Sequence, residues 1–267
     1  METTTQTDYS KPKAELNAAN IAKPLTIEPP QPHIARQSCD DCVTKPVCAA
    51  GVLKRNMPAS YHSRLFRTQR FAKGKHLFYA GDSLSTLYII KSGSFKTYFC
   101  TEEGDEQVMG FALPGDILGA DALADQRHNL SYMALETSTL CVAPVNTLKT
   151  LANRFAPNWL LQQVHGEVLR ERQLMLMTAR KYSADTRVAY FLLELSARHR
   201  ARGLSEVEFK LTMPQRDIAH YLDMALETVS RVFTRLQEHS ILMIKRPYVR
   251  INKVAELKAM VDESLLP

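Results

Sequence analysis

Between about residues 65 and 145, short apolar runs alternate with glycine turns, and this spacing restricts the fold more than any other feature of the chain. Leu77-Phe78-Tyr79 is followed by Gly81-Asp82, and Leu87-Tyr88-Ile89-Ile90 by Ser92-Gly93. Phe95-Lys96-Thr97-Tyr98-Phe99 leads to Glu103-Gly104-Asp105, and Val108-Met109-Gly110-Phe111 to Pro114-Gly115-Asp116. Turn signals at such intervals predict an all-β sandwich or barrel. β-Branched and aromatic residues suit its pleated, half-buried surfaces.

The pattern changes on either side. Residues 1 to about 35 are rich in Thr, Lys, Ala and Pro and sustain no apolar periodicity, so they read as a mobile tail. From Pro157 the sequence reads as one long helix. Leu161, Val168 and Met175 recur every seven residues, with Val164, Glu171 and Thr178 as the offset row. A heptad-like stripe of this kind predicts a dimer seam with a charge inside it. Beyond about Thr186 the chain is helix-rich, and Lys245 to Ile251 reads as a short hairpin, or wing.

Residues Gln215 to Arg231 have the spacing of a helix-turn-helix. Ile218, Ala219 and Leu222 put apolar groups on one face of the first helix, and Val229, Val232, Phe233 and Leu236 do so on the second. That burial turns Glu227, Ser230, Arg231 and Thr234 outward, as a helix in the major groove requires. Arg231 can donate two hydrogen bonds to guanine, and Glu227 can accept from cytosine N4. Arg235 and Lys245 are expected at phosphates, adding affinity and salt dependence. The formal charge of +6 is compatible with a nucleic-acid partner without requiring one.

The chain has five cysteines, an odd number. No apolar run nears the roughly 18 residues of a membrane span, and the first residues lack the basic start and apolar stretch of a secretory signal. The expected location is therefore the cytoplasm, where thiols serve as metal ligands or buried groups rather than disulfides. Cys39, Cys42 and Cys48 form Cys-x2-Cys-x5-Cys. This spacing suits zinc and iron–sulfur alike, and the fourth ligand can be Cys100 or Cys141.

Leu226-Glu227-Thr228-Val229-Ser230-Arg231 resembles the recognition helix of the CRP/FNR superfamily, in the form found in its FNR branch (fumarate and nitrate reduction regulators). Leu135-Glu136-Thr137-Ser138-Thr139-Leu140-Cys141 resembles that branch's segment with the distal cluster ligand. The resemblance runs from about Ser38 to Ile251. It implies an α+β fold: an N-terminal cyclic-nucleotide-binding-like β-roll, a long dimerisation helix and a C-terminal winged helix-turn-helix. The expected divisions are a flexible tail (1–35), a cluster-binding segment (36–52), the β-roll sensor (53–156), the dimerisation helix (157–183), the DNA-binding domain (184–257) and a C-terminal tail (258–267).

The resemblance also implies a [4Fe–4S] cluster on Cys39, Cys42, Cys48 and Cys141, with Cys100 left as a structural thiol. It implies a homodimer seamed through Leu161, Val164, Val168, Glu171 and Met175. Glu227, Ser230 and Arg231 would read a palindromic promoter site with TTGAT-like half-sites, and RNA polymerase would be the protein partner. The implied function is oxygen-responsive regulation of transcription, active without oxygen and lost when oxygen destroys the cluster. Asp223 and Ala225 depart from the family's pattern, which has Gly in the turn and Thr or Ser as the cap. Asp tolerates a left-handed turn at modest cost, whereas Ala cannot cap a helix.

Three other functions compete with this one. A cyclic-nucleotide pocket resembles Gly-Glu followed by Arg-Ser, but here Gly119 precedes Ala120 and the later pair is Leu130-Ser131. A phosphate there lacks its arginine partner, so no cyclic nucleotide is expected. A zinc- or thiol-based regulator of the same superfamily is the alternative to the cluster. No phosphate loop, acid–base pair or nucleophile motif marks an enzyme.

Overall fold

The computed structural model describes residues 42, 44–45, 47–48, 67–101, 103–146 and 182–261. The expected tail, Cys39 and the whole expected dimer seam (Leu161, Val164, Val168, Glu171 and Met175) lie outside the described residues.

The glycine-punctuated region forms β1 (Arg67–Phe71), β2 (His76–Phe78), β3 (Thr86–Ser92), β4 (Phe95–Cys100), β5 (Glu106–Ala112), β6 (Ile117–Leu118), β7 (Ser131–Ala134) and β8 (Ser138–Pro144). They make two antiparallel sheets, ordered β1-β8-β3-β6 and β2-β7-β4-β5. Alternate residues of each sheet face the other and build one apolar core. Tyr88, Ile90, Leu118 and Leu140 come from the first sheet, and Phe78, Phe95, Tyr132 and Ala134 from the second. Full burial of one such side chain contributes about 1.5–3 kcal/mol.

The second sheet is apolar on its other face too. Pairing of β4 with β5 slips between Thr97/Gly110 and Tyr98/Val108, so Met109 is an extra residue. A bulge of one residue reverses the alternation. Val108 and Phe111 therefore share the outward face, while Met109 and Ala112 pack on the roll's core.

That outward face is covered by the C-terminal unit. Its elements are α1 (Ala184–Ala201), β9 (Glu208–Lys210), α2 (Gln215–Tyr221), α3 (Leu226–Glu238), β10 (Leu242–Lys245), β11 (Tyr248–Ile251) and α4 (Val254–Ala259). Ser183 caps α1, its hydroxyl accepting from the Thr186 amide at 3.2 Å. β10, β11 and β9 form a three-stranded antiparallel sheet. Val188, Phe191, Leu192 and Leu195 of α1 pack with Val229, Val232, Phe233 and Leu236 of α3. Val108, Phe111, Leu113 and Leu135 of the roll belong to this same core, and so does Val261, beyond the expected boundary at 257. The roll and the C-terminal unit are thus joined by shared apolar burial as well as by chain.

Candidate DNA-reading surface and cluster site

α2 and α3 form the helix-turn-helix. Asp223 makes the turn at φ +52°, a left-handed conformation that Asp adopts more readily than most residues. Arg187 of α1 holds this turn, Nη1 donating to the Leu222 carbonyl at 3.0 Å. Ala225 begins α3 without a side-chain cap, as its lack of a hydroxyl requires. With Val229, Val232, Phe233 and Leu236 buried, Glu227, Arg231 and Thr234 are exposed and Ser230 is half-buried on the opposite face. Leu226 is exposed beside them. Of the four residues that helical period turns outward, Glu227, Arg231 and Thr234 are open to solvent and Ser230 is partly covered.

Arg235, expected at a phosphate, also has a partner within the protein. It is held by Asp185 of α1, with Nε at 3.1 Å and Nη2 at 2.5 Å from one carboxylate oxygen. Its charge stiffens the α1–α3 contact before any phosphate is met. Lys245 and Arg246 are exposed at the tip of the β10–β11 wing. Replacing Arg231 with Ala is expected to weaken binding to the specific site by about 1–3 kcal/mol, the discrimination of one good bidentate base contact. Titration against intact and base-substituted half-sites checks this, and the loss should be concentrated on the intact site.

The cysteines fall on different elements. Cys42 and Cys48 are half-buried on a tight loop in which the Lys45 amide donates to the Cys42 carbonyl at 3.0 Å and the Val47 amide to the Thr44 carbonyl at 3.1 Å. Thr44 is buried, its hydroxyl 3.1 Å from Cys42 Sγ. Cys141 lies on β8, opposite Thr68 on β1 and Ile89 on β3. Ile89 in turn pairs with Ile117 of β6. Facing residues in an antiparallel ladder point to one side, so Cys141, Ile89 and Ile117 make a row on the face away from the roll's core. With strands about 4.8 Å apart, Cys141 and Ile117 are about 10 Å from each other.

The cysteine loop comes to this sheet at the β5–β6 turn. Gly115 has φ +100°, and a Cβ placed on it would lie 2.7 Å from Val47 Cγ2. Only a residue without a side chain lets Val47 approach so closely. The same turn is clasped from behind by α1. Arg202 donates from Nε to the Pro114 carbonyl at 2.6 Å and from Nη2 to Asp116 at 2.8 Å, and Arg198 also pairs with Asp116. Cys100 is exposed at the end of β4, on the other sheet. Among the described residues no three His, Cys, Asp or Glu side chains already converge as a metal site. The thiol set itself suits a soft centre, with two sulfurs on a short loop and one on a strand of the sheet this loop approaches.

The roll's remaining polar centre is built around Asp121, and His128 Nε2 is buried beside it without a hydrogen-bond partner. Asp121 accepts from Tyr132 Oη at 2.8 Å and from the amides of Asn129 at 2.8 Å and Leu130 at 3.2 Å. His128 Nδ1 lies 3.2 Å from the same carboxylate. Burial pushes the Asp121 carboxyl up, but the bonds from His128 and Tyr132 outweigh it and hold the group below the usual carboxylate range.

Among the described residues no helix is long and apolar enough to cross a membrane. Residues 68–155 match the cyclic nucleotide-binding domain family, and residues 186–260 match the Crp-like helix-turn-helix domain family. The chain is 40% identical over 217 residues to the Fumarate and nitrate reduction regulatory protein of Yersinia pestis, covering 80% of this chain and 86% of that protein. The protein of the same name from Escherichia coli (strain K12) is 38% identical over 216 residues, with the same coverage. The solved structure of FixK2 from Bradyrhizobium japonicum has the same fold, with a TM-score of 0.67 at 23% identity over 74% of this chain and 98% of that one. The antiparallel roll, the helix-turn-helix with its outward Glu227 and Arg231, and these relatives agree: the chain belongs to the CRP/FNR family of transcription regulators.

Proposed function

We propose that this protein is an oxygen-responsive transcription regulator of the cytoplasm. In this reading Cys39, Cys42, Cys48 and Cys141 hold a [4Fe–4S] cluster. Without oxygen the loaded chain dimerises and binds a palindromic promoter site through Glu227, Ser230 and Arg231. Oxygen destroys the cluster and inactivates it. The observation that carries the reading is the seating of Val47, between Cys42 and Cys48, against Gly115 at the edge of the sheet that bears Cys141. Relatives named Fumarate and nitrate reduction regulatory protein support it.

When bound, the cluster supplies iron–thiolate bonds that tie the cysteine segment to β8. The chain's own residues do the rest. The Thr44 hydroxyl lies 3.1 Å from the Cys42 sulfur and helps fix the position of that side chain on the loop. Val47 covers the β5–β6 turn, so the loop's position is set by packing as well as by ligation. In the dimer seam of Leu161, Val164, Val168, Glu171 and Met175, the two Glu171 carboxylates repel when desolvated, and association needs the shape the loaded form imposes. The internal bonds of Asp121 support a roll that works without a cyclic nucleotide. RNA polymerase is the protein partner in this scheme.

The test is the visible spectrum, iron and sulfide content of protein purified without oxygen, followed by exposure to air. Brown protein with about four irons per chain, which bleaches while dimer and site-specific DNA binding are lost, is the expected result. Colourless protein that holds zinc and binds DNA regardless of oxygen would leave the DNA-binding half standing and remove the sensing half.

A further inference from the structure

Lys96 is a buried cation that neither the recognition surface nor the cysteine site uses. It lies on β4 with 4% of its surface exposed. Its ammonium contacts Glu106 on β5 at 2.6 Å and Asp217 on α2 at 3.3 Å. Asp217 is itself 8% exposed. Lysine is rarely buried to this degree unless paired. Here the pair bridges the sensor sheet and the first helix of the helix-turn-helix. Two more bonds join the same surfaces: His220 Nδ1 donates to the Glu106 carbonyl at 2.7 Å, and Gln107 Nε2 to the His220 carbonyl at 2.6 Å.

We propose that Lys96 is a positioning residue for DNA recognition, selecting one docking angle of the helix-turn-helix on its own sensor. The shared apolar core supplies most of the adhesion between the two units, but apolar burial is non-directional and tolerates sliding. A desolvated ion pair is satisfied only in one register, which is the best-attested use of such pairs. α2 is the element so fixed, and α3 packs on α2 through Ile218, Ala219, Leu222 and Val229. The pose of the recognition helix relative to the sensor follows from where Lys96 holds Asp217. In a symmetric dimer that pose sets the distance between the two recognition helices, and so the half-site spacing the protein accepts.

This inference rests on the dimeric, palindrome-reading form proposed above. The experiment measures binding of the full chain, prepared without oxygen, to palindromes whose centre is of native length or is lengthened or shortened by one base pair. Lys96→Met alone leaves Asp217 buried and unpaired and can fail to fold. The decisive variant is Lys96→Met with Asp217→Leu, since replacing both partners by apolar groups is often neutral for folding. With its melting temperature retained, this variant is expected to bind the native spacing more weakly and the altered spacings relatively better. Its preference for native over altered spacing should fall by about tenfold, a usual size for coupling between linked sites. A purely structural role would leave that ratio untouched, and Arg231→Ala, which acts at a base, should leave it untouched as well. A folded double variant with the wild-type ratio overturns the inference alone. Wild-type protein that binds every spacing alike overturns both the inference and the dimer reading.

Discussion

A Cys141→Ser chain purified without oxygen is expected to be colourless and nearly free of iron, whereas Cys100→Ser keeps wild-type colour and iron. Both substitutions replace sulfur by oxygen in a side chain of similar size, and both positions lie on strands of the roll. They differ in surroundings. Cys141 stands in the row with Ile89 and Ile117 beside the turn that Val47 covers. Cys100 is exposed on the opposite sheet, paired with Glu106. A hydroxyl is a poor ligand for a centre that prefers soft thiolates, so the loss should be almost complete rather than graded. Compared as cluster-free chains, wild type and both variants should differ in folding by no more than about 1 kcal/mol, since no large volume is removed. Iron and sulfide determination with a thermal melt on both variants checks this. If Cys100→Ser were the colourless one, the fourth thiolate would have to be reassigned.

Gly93→Ala is expected to destabilise the roll severely. Gly93 links β3 to β4 at φ +92°, where any side chain is strained by about 1–3 kcal/mol. A Cβ there would lie 2.1 Å from Ser138 Oγ and 2.7 Å from Ser138 Cα. The second of these is backbone, so the clash cannot be relieved by turning a side chain. Ser138 is buried, and its hydroxyl donates to the Glu136 carbonyl at 2.8 Å. Overpacking of this kind adds a further ~1–3 kcal/mol. The sum is a large share of the roughly 5–15 kcal/mol that holds an ordinary domain. Because Ser138 opens β8, the displacement falls on the strand that carries Cys141. Soluble yield and melting temperature should both drop, and the iron content of the surviving protein should drop with them. Wild-type stability in this variant would mean that the start of β8 can move at little cost.

The roll and the helix-turn-helix were legible because each obeys a simple period. Glycine turns separate strands of alternating burial, and the face opposite Val229, Val232, Phe233 and Leu236 had to be solvent. Asp223 was legible as a left-handed turn because it stands where the resembling family has Gly. The joining of the two units was not. Val108 and Phe111 read as ordinary strand residues, and only the slip at Met109 puts both on the outward side. Lys96 sits within an apolar run, and a sequence gives no sign that Asp217 will meet it 121 residues later. The partners of Arg198, Arg202 and Arg235 are hidden from the sequence for the same reason. Their carboxylate partners, Asp116 and Asp185, lie on other elements. Patterns of period report which face is buried, and they are silent about which charged tips find each other over it.

The carboxylate at the centre of the roll belongs to the chain itself. A domain whose polar heart is completed by a diffusible ligand gains stability as RT ln(1 + [L]/Kd), so its folded fraction follows the supply of that ligand. Here the anion is Asp121, fastened to the chain and bonded by His128, Tyr132 and two backbone amides. Its local concentration never dilutes. The stability that these bonds contribute to the roll therefore draws on the chain's own carboxylate and needs no dissolved anion.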